Sequence, residues 1–163
     1  MSKNGVAQHC PIVRGVSSVG DTWTMLILRE AHVGVTRFDQ FRKNLGIAPT
    51  MLTKRLAALT GAGLLEKRLY SERPPREDYV LTPAGQDFLP VLLMFGAWAR
   101  RNCDGHFARF IDETTGHEIE PVGVDAASGA RLGSRPIKVS VVEKVEGASS
   151  RPPPPPPPVP MDR

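Results

Sequence analysis

The sequence of 163 residues is poor in cysteine, with only Cys10 and Cys103. Two cysteines are too few for a disulfide framework or a cysteine-based zinc site, so we expect reduced thiols and no metal. The N-terminus lacks the apolar segment of a signal peptide, and no stretch approaches the roughly 20 apolar residues that a membrane helix needs. We therefore expect a cytoplasmic protein with no membrane partner.

Motifs that carry enzyme chemistry are also missing. The sequence contains no G-x-x-x-x-G-K-[ST], no G-x-G-x-x-G, no H-E-x-x-H and no G-x-S-x-G. Its carboxylates are scattered, so no acid–base pair can be nominated, and His9 is the only base placed beside Cys10 by sequence. We expect a protein that is not an enzyme and that needs no cofactor.

Positive charge is concentrated in one part of the chain. Residues 37–76 contain nine basic and three acidic side chains, whereas residues 106–163 contain seven basic and eight acidic ones. A local excess of this kind is what a phosphate-binding surface requires, although basic residues also scatter over ordinary surfaces. Double-stranded DNA is the partner that this distribution favours.

Residues 37–62 predict a short helix, a tight turn and a longer helix. Apolar residues recur at helical spacing in both parts, and Gly46 interrupts the pattern between them. Pro49 suits the first turn of the second helix. The face opposite the leucine stripe is short, hydroxylated and basic, which fits a DNA major groove. It carries Thr50, Thr53, Lys54 and Ala57.

A strand, a basic loop and a second strand are predicted directly after the helix pair. The loop contains two adjacent prolines, which cannot pair within a ladder, and it carries Arg73 and Arg76. This order is typical of a wing, whose loop can place an arginine on a phosphate or in the minor groove. The alternative is an ordinary surface hairpin.

A strongly apolar helix is predicted from the Thr82-Pro83 start to about Cys103, with a kink expected at Pro90. Its large apolar side chains lie on more than one face. One face can pack on the winged domain, and another would remain in water unless a different part of the protein or a partner covers it. We predict a homodimer, with the N-terminal segment contributing to the same interface; the alternative is burial within the monomer. The predicted interface residues are Val13, Phe88, Leu92, Phe95 and Trp98.

The rest of the chain divides by composition. We predict a flexible lead-in (residues 1–9), a winged domain (10–105), a small β-rich appendage (106–147) and a disordered proline-rich tail (148–163). Asp125 and its neighbours stand where a zinc ribbon could carry a C-x-x-C-G knuckle, but the cysteines are absent. The predicted fold class is thus mainly α with small β.

Residues 10–101 resemble the HxlR-type winged helix-turn-helix transcriptional regulators. The resemblance is carried by Cys10-Pro11, G-D-T-W-T-M-L-I-L-R-E, R-F-x-x-F, M-L-T-x-R-L, L-x-x-x-G-L-L, P-P-R-x-x-Y and L-T-P-A-G, in this order. It implies a bacterial, cytoplasmic, homodimeric regulator, which we expect to be a repressor on a palindromic operator. One departure is Ala48-Pro49, where the family commonly has a serine cap at the start of the recognition helix.

The combined prediction assigns DNA contacts to two groups of side chains. Thr50, Thr53 and Lys54 are expected at base edges or adjacent phosphates, while the remaining cations would hold the backbone. The latter are Arg37, Arg42, Lys43, Arg55, Arg73 and Arg76. Arg55 lies close to the leucine stripe, so the sequence leaves open that it packs inward.

Two alternative functions remain open at this level. In some members of the family a cysteine followed by proline senses oxidants or electrophiles, which makes Cys10 a candidate thiol sensor. Its ordinary reading is a small side chain packed near the dimer interface. The other alternative is a winged-helix protein-interaction module that does not bind DNA. The sequence does not identify an inducer.

Overall fold

The computed structural model describes residues 10–72 and 75–138. Within them the chain forms helices and a two-stranded antiparallel sheet in an order that confirms the winged helix-turn-helix prediction. The predictions for residues 1–9, for Arg73, for the end of the appendage (139–147) and for the tail (148–163) lie outside the described residues. The elements are α1 (Pro11–Val19), α2 (Thr22–His32), α3 (Phe38–Leu45), α4 (Pro49–Gly61), β1 (Leu65–Glu72), β2 (Pro75–Leu81), α5 (Pro83–Gln86) and α6 (Leu89–Asn102).

The core lies where α2, α3 and α4 meet. Every member of the predicted leucine stripe on α4 is sealed from solvent, as is Phe41 on α3. Ile27 and Leu28 of α2 pack into the same cluster. Burying side chains of this size removes them from water at about 1.5–3 kcal/mol each, so the helical spacing fixes which face of α4 turns outward. The buried stripe consists of Leu52, Leu56 and Leu59.

Local signals in the sequence set the helix boundaries. Asp21 caps α2, because its carboxylate accepts a hydrogen bond from the Thr24 backbone N–H at 3.2 Å, as predicted. Gly46 ends α3 with a φ of 62°, a left-handed conformation that glycine adopts without a steric penalty. The short connection from Gly46 to Ala48 therefore fixes the angle at which α4 leaves α3.

The wing is a hairpin whose ladder runs from Leu65 opposite Leu81 to Glu72 opposite Pro75. The register shifts between Leu69 and Ser71. The chain just before α3 adds a minimal third strand, since the Tyr79 N–H donates to the Thr36 carbonyl at 2.8 Å. This contact joins the wing to the start of α3.

The predicted helix from Thr82 to about Cys103 is divided into α5 and α6. Pro90 lies in the first turn of α6, where its missing N–H costs nothing, so it begins a helix instead of kinking one. Thr82 caps α5 by accepting from the Gly85 N–H at 3.1 Å. A Cβ at Gly85 would lie 2.1 Å from the Leu64 carbonyl oxygen, so this turn can pack on the start of β1 only with glycine there.

Helix α6 has two covered faces. Phe88, which precedes it, and Leu92 pack against the core of the winged domain. A second face meets the chain that follows, where the Phe110 ring lies against Gly96. Residues 103–138 form turns that contain two isolated antiparallel bridges, Ile111 with Glu118 and Val124 with Arg131.

The predicted β-rich appendage thus consists, in its described part, of two tight turns. Each turn begins with an aspartate whose carboxylate accepts backbone N–H groups two residues on, at 2.8 Å for Asp112 and 3.2 Å for Asp125. The backbone N–H groups of Thr115 and then Thr114 are the main causes of a lowered pKa at Asp112, and for Asp125 the hydrogen bond from the Ser128 side chain is the largest cause of a lowered pKa. Hydrogen bonds to aspartate therefore hold both turns.

Candidate nucleic-acid interface

The outward face of α4 carries the three side chains predicted to reach DNA bases. Thr50, Thr53 and Lys54 are exposed, on the side opposite the buried leucines. The Thr53 hydroxyl donates to the Pro49 carbonyl at 3.0 Å, and its oxygen can still accept a hydrogen bond from a ligand. This face is therefore free to enter a groove.

The start of α4 lacks a side-chain cap, as the Ala48-Pro49 sequence indicated. Ala48 occupies the N-cap with extended backbone angles (φ −62°, ψ 138°) but offers no side-chain oxygen. The N–H groups of the first turn of α4 and the positive end of its dipole are left for water or for a bound anion.

Arg55 points away from this face. Its Nε lies 3.2 Å from Oδ1 of Asp21, and the side chain is only 30% exposed. The contact is an ion pair without an aligned hydrogen bond, since the buried Nε–H has no partner of suitable geometry among the described residues. Of the two roles that the sequence left open for Arg55, its position favours inward packing.

The predicted cations of α3 differ in how free they are. Arg42 lies 3.8 Å from Asp39 one turn earlier, a distance at which an exposed pair contributes little. Lys43 is exposed and forms no ion pair among the described residues. Arg37 precedes α3, where its Nε lies 3.8 Å from Asp78 of the wing.

Two of the three described cations of the wing are neutralised locally. Lys67 lies 2.6 Å from Glu77, and Arg68 lies 2.6 Å from Glu66. Arg76, by contrast, is exposed and has no ion-pair partner in the described part of the chain. A phosphate would meet an uncompensated charge at Arg76 but not at Lys67 or Arg68.

A groove of about 700 Å³ separates α3 and α4 from the wing. Two of the arginines predicted to contact DNA, Arg37 before α3 and Arg76 on the wing, line this groove together with Thr53. The structure thus brings these three predicted residues together around one concave surface. The other lining residues are Phe38, Asp39, Gln40, Tyr70, Glu77 and Tyr79.

Sequence reasoning missed Tyr70 as a member of this surface. Its ring lies beneath the Arg37 guanidinium, with the Cζ atom 4.8 Å from the ring centroid. An aromatic residue between basic residues and a proline loop is a signal that could have drawn attention to it. The change of register that turns it toward the groove is not visible in the sequence.

The residues predicted for a dimer interface fall into two groups. Val13, Phe95 and Trp98 are exposed, and the rings of Phe95 and Trp98 stack with centroids 6.0 Å apart. Phe88 and Leu92 are half-buried against the core. An apolar groove of about 620 Å³ runs between α1 and α6, and Phe88 and Phe95 both line it.

Cys10 stands at the N-cap of α1. It is half-buried, its carbonyl accepts from the Arg14 N–H at 3.2 Å, and its side chain makes no capping hydrogen bond. The other cysteine, Cys103, is exposed at the end of α6. Cys10 therefore lies at the N-terminal end of α1, next to its first turn.

Neither a metal site nor a membrane helix is found in the described part of the chain. Residues 10–72 and 75–138 contain no cluster of three or more histidine, cysteine or acidic side chains arranged to bind a metal ion. No described helix combines the length and the apolar character that crossing a bilayer requires.

Comparison with known proteins places this geometry among regulators. The model of the HxlR-like helix-turn-helix family matches residues 18–107. The uncharacterised helix-turn-helix transcriptional regulator Rv3095 of Mycobacterium tuberculosis is 44% identical over 85 residues, which cover 52% of this chain and 54% of the relative. The chain therefore spans about half the length of this curated relative.

Solved structures give the same grouping. PA1607, a candidate transcription factor, is 31% identical with a TM-score of 0.72, and the match covers 80% of this chain and 94% of that chain. The redox regulator HypR in its oxidised form is 29% identical with a TM-score of 0.54, covering 59% of this chain and all of that chain (100%). The winged domain is thus common to both neighbours.

Proposed function

The chain belongs to the HxlR-like helix-turn-helix family, and we propose that it is a transcriptional regulator that binds a palindromic DNA operator as a homodimer and represses the adjacent gene. The observation that carries this proposal is a pair of exposed cations, Lys54 on α4 and Arg76 on the wing, that form no ion pair within the described residues and belong to two elements flanking one groove. Beside Lys54 stand the hydroxyl groups of the exposed α4 face. Phosphates attract such cations, while hydroxyl and amine donors can read base edges.

The exposed apolar residues of α1 and α6 support the dimer. Ile12 and Val16 on α1 are 68% and 60% exposed, and Phe95 on α6 is 58% exposed. Apolar side chains clustered this way around a groove are typical of a surface covered by a second copy. Two copies related by a two-fold axis would present two α4 helices to major grooves roughly 34 Å apart.

DNA binding is tested with the purified full chain and the DNA upstream of its own gene. Footprinting defines the protected site, and binding is then measured over a range of salt concentrations. We expect Lys54→Ala and Arg76→Ala each to weaken binding and to reduce the slope of log K against log [salt] by about 0.9, because each removes one phosphate contact. Repression is tested separately by transcription of the adjacent gene with and without the protein.

The matched control is Lys138→Ala, which removes the same charge from an exposed position in the appendage. It should leave affinity and slope close to those of the unmodified protein. If the unmodified protein shows no salt-dependent binding to any protected site, the proposal fails. The interpretation as a protein-interaction module without DNA binding would then be preferred.

A thiol-controlled form of the same function is the second candidate. It is supported by Cys10 at the positive end of α1 beside the apolar groove, and by the similarity to HypR, a redox regulator. Under this proposal, oxidant or aldehyde releases the unmodified protein from DNA but does not release Cys10→Ser. The control is Cys103→Ser, which should respond like the unmodified protein. Release of Cys10→Ser by oxidant would exclude Cys10 as the sensor.

A further inference from the structure

Tyr70 occupies an irregular position in the wing. Leu69 pairs with Glu77 and Ser71 pairs with Arg76, so Tyr70 is the extra residue of β1 that has no partner on β2. A bulge of this kind turns the side chain of the extra residue away from the direction that strict alternation would give it. Here the result is that Tyr70 lines the groove between the wing and the helix pair.

The Tyr70 ring lies against the guanidinium of Arg37, whose Cζ is 4.8 Å from the ring centroid. Arg37 occupies the N-cap position of α3 and has no side-chain capping bond of its own. On its other side, Nε of Arg37 is 3.8 Å from Asp78. This distance is too long for a hydrogen bond, so the acidic neighbour attracts the guanidinium but does not occupy its donors.

Contact through the ring face has a specific consequence for Arg37. The five N–H donors of a guanidinium lie in its plane, so an aromatic ring beneath it leaves the donors free. A phosphate can therefore accept from the edge of the same guanidinium that the ring holds. An exposed arginine without such support would lose the rotational freedom of several side-chain bonds on binding. This entropy cost weakens each contact that it makes.

We propose that Tyr70 is a positioning residue for DNA binding, whose bulged placement holds the Arg37 guanidinium at the groove so that Arg37 and Arg76 grip the same stretch of DNA backbone. This inference rests on the proposed function, because it describes how the same surface would bind phosphates. It couples α3 to the wing through a contact that only the folded hairpin can provide. It also explains the placement of an aromatic side chain, 42% exposed, in a groove that Arg37 and Arg76 both line.

The experiment measures operator affinity and its salt dependence for full-length variants of both residues. Arg37→Ala should reduce the salt slope by about 0.9. Tyr70→Leu should produce a weaker loss in the same direction, whereas Tyr70→Phe keeps the ring and should match the unmodified protein. In the Arg37→Ala background, Tyr70→Leu should have no further effect, because the residue that it positions is gone. Leu69→Ala, one residue away on β1, is the control for wing disturbance and should leave the slope unchanged.

Arg37→Lys is a second test that leaves the wing unaltered. It keeps the charge but loses the planar group that lies on the ring, so we expect several-fold weaker binding and no further effect of Tyr70→Leu. Thermal unfolding of each variant identifies any loss of fold, and this arm decides the question if Tyr70→Leu alone does not fold.

Three results would overturn the inference. These are additive effects of Arg37→Ala and Tyr70→Leu, a defect in Tyr70→Phe equal to that in Tyr70→Leu, or Arg37→Lys binding as tightly as the unmodified protein. All three require that the unmodified protein binds the operator. Failure of the unmodified protein to bind would instead refute the proposed function, so the two failures are distinguishable.

Discussion

Arg55 and Asp21 join the proposed recognition helix to the helix behind it, with Nε of Arg55 3.2 Å from Oδ1 of Asp21. The same carboxylate caps α2 through the Thr24 N–H. Burial acts to raise the pKa of Asp21, but the hydrogen bonds from Thr24 and the Arg55 charge outweigh it, so the pKa is lowered. Asp21 thus serves two helices while it remains ionised.

This pairing predicts that Arg55 contributes to stability and not to phosphate binding. Arg55→Ala should lower the free energy of unfolding by about 1 kcal/mol, the upper range for partly exposed pairs. It should leave the salt slope of operator binding unchanged, in contrast to Lys54→Ala on the same helix. Urea denaturation measures the effect on stability, and salt-dependent titrations measure the effect on DNA binding. A salt slope reduced by Arg55→Ala would instead show that Arg55 contacts a phosphate.

The periodicity of apolar residues is sufficient to predict the helix pair, but it does not predict the groove between the helices and the wing. The spacing of Leu52, Leu56 and Leu59 reflects burial within one helix, a local property, and all three are sealed in the core. The pairing of Arg55 with Asp21 and the bulge at Tyr70 depend on contacts between distant segments, which periodicity does not encode. For the same reason the sequence predicts only a kink at Pro90 where the structure has a break before α6.

The bare N-cap of α4 predicts that a hydroxyl at Ala48 would stabilise the protein. Ala48 already has the extended backbone that an N-cap needs, so Ala48→Ser places an oxygen near orphan N–H groups without rearrangement. We expect an increase of about 0.5–1 kcal/mol in the free energy of unfolding. Ala57→Ser, an exposed position inside α4, is the matched control and should be destabilising by a few tenths of a kcal/mol.

The same substitution also tests the DNA geometry. If the first turn of α4 approaches a phosphate, the hydroxyl introduced by Ala48→Ser would compete for the N–H groups that the phosphate uses, or add a donor to the contact. Operator affinity should therefore change for Ala48→Ser, as measured by titration. Equal affinity in Ala48→Ser and the unmodified protein would indicate that the start of α4 does not touch the backbone.

The stacked pair Phe95 and Trp98 predicts where the dimer can be broken. Replacing Trp98 by aspartate places a charge in the proposed interface, where the partner would desolvate it. We expect Trp98→Asp to sediment as a monomer at concentrations where the unmodified protein is a dimer. Leu69→Asp, at another exposed apolar position, should keep the dimeric mass. A monomeric unmodified protein, or a dimeric Trp98→Asp protein, would count against this interface.

The environment of His32 predicts that the folded protein loses stability in mildly acidic solution. Its Nε2 is sealed from water and has no hydrogen-bond partner among the described residues. Burial lowers the pKa of His32 below 6.5, and this effect exceeds the opposing one of the nearby Gly85 backbone. The folded protein therefore favours the neutral ring, whereas the unfolded chain binds a proton as the pH falls through 6.5.

The sign of the effect follows from this difference in proton binding. Well above pH 6.5 neither state binds the proton and His32 adds no pH dependence. As the pH falls through 6.5 towards the lower folded pKa, the unfolded state is favoured increasingly. Urea midpoints of the unmodified protein should thus fall between about pH 7 and pH 5 by more than those of His32→Gln. His106→Gln removes an exposed histidine and should retain the unmodified profile. Parallel profiles for the unmodified protein and His32→Gln would show that burial of this ring does not control acid stability.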